Sequence, residues 1–199
     1  MCTKENYFYS VNQVKPNPFL SIVTSRLQGK RQQLYQQHVE SIQRLEPDYE
    51  QIFIIDPEGY GMLCANSSFV HAKELISGEW VYLLDDDDFI TDPRFILVLK
   101  ENSSNTDIIF FKNKILNGDG DQIFPKPESW ESRTPKLSQI GGSCFAFRKW
   151  IYLQYIHHFA YASCGDWYFI TEVLKNESVK TKWLDRLMFE TGRVSFGGE

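Results

Sequence analysis

The sequence predicts a single α/β domain with a mostly parallel sheet flanked by helices. Three observations carry that prediction. From residue 19 to 84, apolar runs of strand length alternate with helix-period segments, in the order strand, helix, strand, helix, strand. That order implies a parallel sheet with right-handed crossovers. The runs end in polar or acidic residues: Thr24-Ser25-Arg26, then Asp56, then the four consecutive aspartates Asp85-Asp86-Asp87-Asp88. Finally, 199 residues that are 42% hydrophobic and 15% aromatic supply the core of one domain, at most with a small annex.

Residues 1–18 are polar and aromatic, with Pro16 and Pro18 at the exit, and read as an arm leading into a domain of residues 19–199. Phe19-Leu20-Ser21-Ile22-Val23-Thr24 is a short strand-type run. Leu34, His38, Val39, Ile42 and Leu45 share one face of a helix over 30–45, which Pro47 ends. Gln51 to Asp56 is a second buried strand, stopped by Pro57 and Gly59. Phe69 to Ile76 reads as a short helix, with Gly78 at the place of a C-terminal cap. Trp80-Val81-Tyr82-Leu83-Leu84 is the third strand and runs straight into the aspartates.

Beyond the aspartates the pattern loosens. Asp92-Pro93 opens a helix to about Lys100, with proline in the first turn. Asp107 to Leu116 is strand-like, Asn117 to Asp121 a turn, and 125–138 a proline-rich loop. Ser143 to Phe147 reads as a strand, Lys149 to Phe159 and Asp166 to Lys175 as helices, and Lys182 to Phe189 as a last strand.

Composition excludes several classes. No apolar run approaches the ~20 residues needed to span a bilayer. Met1 to Asn6 lacks the apolar stretch of a signal peptide, so a cytoplasmic location is expected and membrane contact is at most peripheral. The Asn-x-Ser sequons at Asn66, Asn102 and Asn176 are then chance, and Cys2, Cys64, Cys144 and Cys164 are expected as free thiols. A net charge of -5 argues against a nucleic-acid partner, despite a local basic spot at Lys30-Arg31.

The ends of the three parallel strands would line one edge of the sheet, where open α/β sheets place their ligands. Four adjacent carboxylates repel one another and are easiest to keep together around a cation. Hard oxygen ligands suit Mg²⁺ or Mn²⁺. An acidic side chain after the second strand accepts hydrogen bonds from a base or ribose, so the set describes a site for a metal-nucleotide.

Over residues 19–89 and again over 141–175, the chain resembles the family 2 glycosyltransferases. Phe19 to Thr24 looks like that family's opening strand, and Ile54-Ile55-Asp56 its second. Ala72 to Asp88 looks like its helix, Gly-Glu-aromatic turn, apolar strand and Asp-x-Asp motif, and Gly165-Asp166-Trp167 like the end of its acidic-acidic-Trp segment. The resemblance implies a GT-A type fold, Rossmann-like, with residues 19–100 binding a nucleotide-sugar and 101–199 an acceptor. It implies Asp87 as direct ligand of a divalent metal (Mn²⁺ or Mg²⁺), Asp85 as its support, and Asp86 facing the donor. Asp56 would bind the base with Thr24 beside it, and Asp166 would be the general base of an inverting transfer. A UDP-sugar is the expected donor, and a glycan or lipid-linked molecule the acceptor. Asp88 is left to solvent.

The chain departs from the family at several points. Arg26 lies where a Pro-Thr-Tyr-Asn type loop is usual, and could compensate by reaching a phosphate or the base; Gly165 replaces the first acid before Trp167. Two other functions stay open: a nucleotidyltransferase, for which Gln28-Gly29-Lys30-Arg31 is a faint echo of a phosphate loop, and an inactive binding module. Plainer roles stand beside each assignment: Asp56 as a turn former, Asp166 as a helix cap, and Thr24 to Arg26 as ordinary loop. Asn117 to Asp121 fits a hairpin turn better than a calcium loop. His38 and His71 read as partly buried helix residues, and His157-His158 as pointing apart on one helix. Arg193 is a surface arginine within possible reach of a diphosphate.

Overall fold

The sheet starts earlier in the chain than the hydrophobic pattern suggests. The computed structural model describes residues 3–13, 16–27, 32–59, 61–116, 122–126, 128–129, 134–161 and 163–192. In it β1 (Phe8–Gln13), β2 (Leu20–Leu27) and β3 (Tyr49–Asp56) pair side by side, β1 antiparallel and β2 parallel to β3. The expected arm is thus an edge strand of the sheet. It is anchored by Tyr7, which is buried and donates its hydroxyl to the Cys64 carbonyl at 2.6 Å, whereas Phe8 and Val11 stay exposed and hide the strand from a burial pattern.

β4 (Trp80–Leu83) pairs parallel with the other side of β2, completing the parallel unit that the alternation predicts. Two helices cover its two faces. α1 (Gln32–Gln43) places Ile42 with Leu20 and Ile22; α2 (Met62–His71) places Phe69 with Val23, Ile52 and Ile54. α2 begins seven residues before the predicted Phe69, and its end continues as a 3₁₀ turn, Ala72–Leu75. Asn66, Ser67 and Ser68 lie inside α2, although such side chains compete for backbone groups. Here the Ser67 and Ser68 hydroxyls bond back to the carbonyls of Leu63 and Ala65, inside the helix.

Gly78 is not a helix cap. A Cβ there would lie 2.6 Å from the Ser21 backbone nitrogen, so the residue is small because two backbones meet. Buried Glu50 ties that crossing together, accepting from the Ser21 hydroxyl and the amides of Ser77 and Gly78.

The rest of the described chain adds β5 (Asp88–Ile90), α3 (Phe95–Asn102), β6 (Ile108–Leu116), β7 (Gln122–Phe124), β8 (Phe145–Arg148), α4 (Lys149–Tyr155), α5 (Gly165–Leu174) and β9 (Thr181–Gly192). The sheet order is β1-β3-β2-β4-β8-β6-β9-β5, with β7 on β6. Around the parallel β3-β2-β4 unit the sheet is mixed: β8 runs antiparallel to both β4 and β6, β9 parallel to β6, and β5 antiparallel to β9. One apolar core fills each face, Phe145, Phe147, Phe159 and Phe169 on one side and Tyr82, Phe95, Phe111 and Phe189 on the other.

Cys144 and Cys164 are free, but Cys64 is disulfide-bonded. That corrects the expectation of four free thiols. No helix among the described residues is long and apolar enough to cross a membrane. His157 and His158, expected to point apart, hold their rings 4.0 Å apart in a 3₁₀ segment, Ile156–Tyr161. Gln28 to Arg31, Asn117 to Asp121 and Arg193 lie outside the described residues, although β6 and β7, which flank the expected hairpin turn, do pair antiparallel.

Candidate active site

The strand before the aspartates ends without releasing them all to water. Leu84 is still buried and donates its amide to the Val23 carbonyl, and the Asp88 amide then closes a turn on the Asp85 carbonyl at 3.0 Å. A turn points successive side chains in different directions, which separates the charges. Asp85 is exposed, Asp87 half-buried, and Asp86 and Asp88 are 1% and 3% exposed. Asp86, expected to face the donor, is therefore enclosed.

Asp88 is not the solvated residue expected. Its carboxylate accepts from the Thr191 hydroxyl with the Ser143 hydroxyl nearby, and Asn113 donates to the Thr191 and Ser143 hydroxyl oxygens at 2.9 and 3.1 Å. Burial, helped by the neighbouring Asp87 charge, pushes the Asp88 pKa up to about 7 against the pull of those hydroxyls. The backbone of the run is held as well. The Gly192 amide donates to the Asp87 carbonyl at 2.8 Å, and His38 Nδ1 to the Asp88 carbonyl at 2.9 Å.

The other expected donor-site residues sit at the same end of the sheet but face different ways. Thr24 is fully buried, with its hydroxyl 3.1 Å from His38 Nε2, so direct contact with a ligand would cost that bond. Arg26 lies flat on α1, its guanidinium 3.3 Å from the Tyr35 ring centroid and bonded to Gln32. Asp56 is level with Leu27 across the β2–β3 pair, so strand alternation turns it to the face opposite Arg26. It also realises the turn-forming role: its Oδ1 accepts from the amides of Glu58 and Gly59 at 3.1 and 2.8 Å.

Asp166 stands in the first turn of α5, but Cys164 is the N-cap residue. Its Oδ1 accepts the Trp167 amide at 2.8 Å. Burial raises the carboxyl's pKa, while hydrogen bonds from the amides of Trp167 and Gly142 pull it down. The absent first acid has a steric cause: a Cβ at Gly165 would lie 2.2 Å from the Phe159 carbonyl oxygen.

What unites these parts is the 3₁₀ turn Gly142–Cys144. Ser143 of this turn lies near Asp88, and Gly142 packs against Asp166, where an added Cβ would lie 3.5 Å from the Asp166 Cβ. Tyr82, on the strand that feeds the aspartates, donates its hydroxyl to the Ser143 carbonyl at 3.1 Å. The aspartate run and Asp166, distant in sequence, thus share one support.

No group of three or more His, Cys, Asp or Glu side chains suited to a metal occurs among the described residues. Asp85 and Asp87 offer two carboxylates on one turn, with access to solvent. That donor set fits a cation of the Mg²⁺ type, which is commonly held by one or two carboxylates together with substrate phosphates.

No protein-family model and no curated protein sequence matches this chain. Solved structures do. S. aureus TarS 1-349 in complex with UDP superposes with a TM-score of 0.64 at 12% identity, covering 87% of this chain and 60% of TarS 1-349. The same protein with UDP-GlcNAc gives a TM-score of 0.59 at 13% identity, covering 90% and 59%. A197 from STIV gives 0.52 at 11%, covering 83% and 81%. The chain shares the fold of these structures. The chain spans about three-fifths of the length of the TarS fragment it matches. The C-terminal ends of the parallel strands β2, β3 and β4 lie together at one edge of the sheet, the kind of edge at which open α/β sheets place ligands.

Sequence reasoning missed His38 as a contact of the run, and Asn113, Ser143 and Thr191 altogether. Little signal was available: Asn113 stands between Lys112 and Lys114 within Ile108–Leu116, so it reads as part of a polar patch although it is buried. A buried polar group must find a partner. Which partner it finds depends on strand order, which no local pattern contains.

Proposed function

We propose that the chain is an inverting, metal-assisted glycosyltransferase, moving a sugar from a nucleoside diphosphate sugar to an acceptor hydroxyl. The observation that carries this reading is the acidic turn Asp85–Asp88 at the end of β4, with Asp166 packed beside the Gly142–Cys144 turn on the same side of the fold as Ser143 and Asp88. Asp166 accepts the proton of the acceptor hydroxyl, an alcohol being a poor nucleophile without a positioned base. Its raised basicity and its place beside the turn support that role. Asp85 and Asp87 would hold Mn²⁺ or Mg²⁺, which supplies charge neutralisation of the leaving diphosphate when bound. Arg26 and Asp56 flank the edge where the nucleotide would lie.

The UDP and UDP-GlcNAc complexes of TarS support a UDP-sugar as the donor class. A glycan or lipid-linked hydroxyl is the acceptor class that this reading carries. The test is sugar transfer by Asp166→Asn. A loss of about 10²-fold or more, with UDP binding retained, is expected of a general base. Transfer at the wild-type rate would remove Asp166 from that role.

A further inference from the structure

α1 reaches the aspartate run through one buried side chain. His38 is fully enclosed, and both of its ring nitrogens are engaged. A carbonyl oxygen only accepts, so the contact with Asp88 O at 2.9 Å fixes the proton on Nδ1. Nε2 is then the acceptor, taking the Thr24 hydroxyl at 3.1 Å and standing 3.4 Å from the Gln51 amide nitrogen. Burial holds the ring neutral, with a pKa of about 4, which is the state this pattern requires. One turn further along α1, the Ser41 hydroxyl oxygen receives the Ile90 amide at 3.1 Å. The helix therefore grips the chain on both sides of Phe89, at the exit of the aspartate turn.

We propose that His38 is a positioning residue, which sets the Asp85–Asp88 turn against β2 through its Nδ1–H bond to the Asp88 carbonyl. The proposal rests on the glycosyltransferase reading for its consequence, since the turn so held carries the carboxylates assigned to the metal. His38 touches no reacting atom in it. Partners that orient metal ligands from behind are commonly worth ten- to a hundredfold in metal affinity.

The experiment compares His38→Asn, His38→Gln and His38→Ala with the wild-type protein. Asparagine returns a donor near Nδ1, whereas glutamine places its amide near Nε2. Two quantities are read: UDP affinity with and without Mn²⁺ by calorimetry, and hydrogen exchange over residues 85–90. Ala and Gln are expected to lower Mn²⁺-dependent UDP affinity about tenfold or more and to speed exchange in that segment, with Asn restoring both. If Ala does not fold, the Asn and Gln pair carries the comparison. Equal affinity and equal exchange across the folded variants would overturn the proposal, as would rescue by Gln and not Asn. If wild-type protein binds no UDP with Mn²⁺, the glycosyltransferase reading falls, while unchanged exchange in the variants separately removes the positioning role.

Discussion

Asp166 shows burial and backbone dipoles acting on one carboxyl in opposite directions. Burial wins, so the folded-state pKa lies above that of the unfolded chain. A folded state that keeps a proton the unfolded state has lost is destabilised as pH rises through that interval. Asp166 therefore costs stability at neutral pH and supplies basicity. Asp166→Asn is expected to be at least as stable as wild type at pH 7 in urea unfolding, while transfer is lost. On the proposed function, kcat/KM of the wild-type protein for sugar transfer is expected to fall on the acid side at a pH above the ordinary carboxylate range, because the base must be ionised. A limb at ordinary carboxylate pH would contradict the role of burial. Gly165, next to it, has no room for a methyl group against the Phe159 carbonyl. Gly165→Ala should destabilise by about 1–3 kcal/mol or more, as overpacking does, measured by the shift in urea midpoint.

At the scale of elements, the site is a junction of pieces that are weak alone. β5 is three residues long and opens on a buried acid, and the Gly142–Cys144 turn is a single 3₁₀ turn. Each is held by the hydroxyls around Asp88, with Asn113 of β6 behind them. Thr191→Val removes the hydroxyl that serves both Asp88 and Asn113. It should cost about 1–3 kcal/mol, the penalty for leaving a buried polar group unsatisfied, and loosen the end of β9 in hydrogen exchange. The turn at Asp85–Asp88 is an element in the same sense: two of its carboxylates are turned inward, while Asp85 and Asp87 retain access to solvent. Asp87→Ala is expected to abolish the Mn²⁺-dependent part of UDP binding without unfolding the protein. Undiminished Mn²⁺ dependence would remove Asp87 from the metal.

For the molecule as a whole, the parallel β3-β2-β4 unit and the mixed strands beyond it meet at β4–β8, beside the turn that supports both sets of aspartates. Ligand binding there should stabilise the entire fold by mass action. A screen of nucleoside diphosphates with Mn²⁺ should raise the melting temperature for UDP. The gain is about 2.7 kcal/mol at a hundred times the dissociation constant. No shift with any nucleotide would favour an inactive module.

The elements with strong apolar periods were legible: β2, β3, β4 and β6, the face of α1, and α5 with its opening aspartate. Each buries enough side chain to declare its period. β1, β5, β7 and the first half of α2 were not, because they are short, polar or half-exposed, and their pairing partners decide their state. The aspartate run announced a site because four adjacent charges after a buried strand are costly without a purpose. The sequence by itself determined the parallel α/β unit and the position of its acidic edge, since local apolar periods and strand endings are properties of neighbouring residues. Only the tertiary structure decided which aspartates face solvent, that His38 holds their turn, and that Asp166 shares a support with them. Those are contacts between residues far apart in the chain, set by strand order and burial.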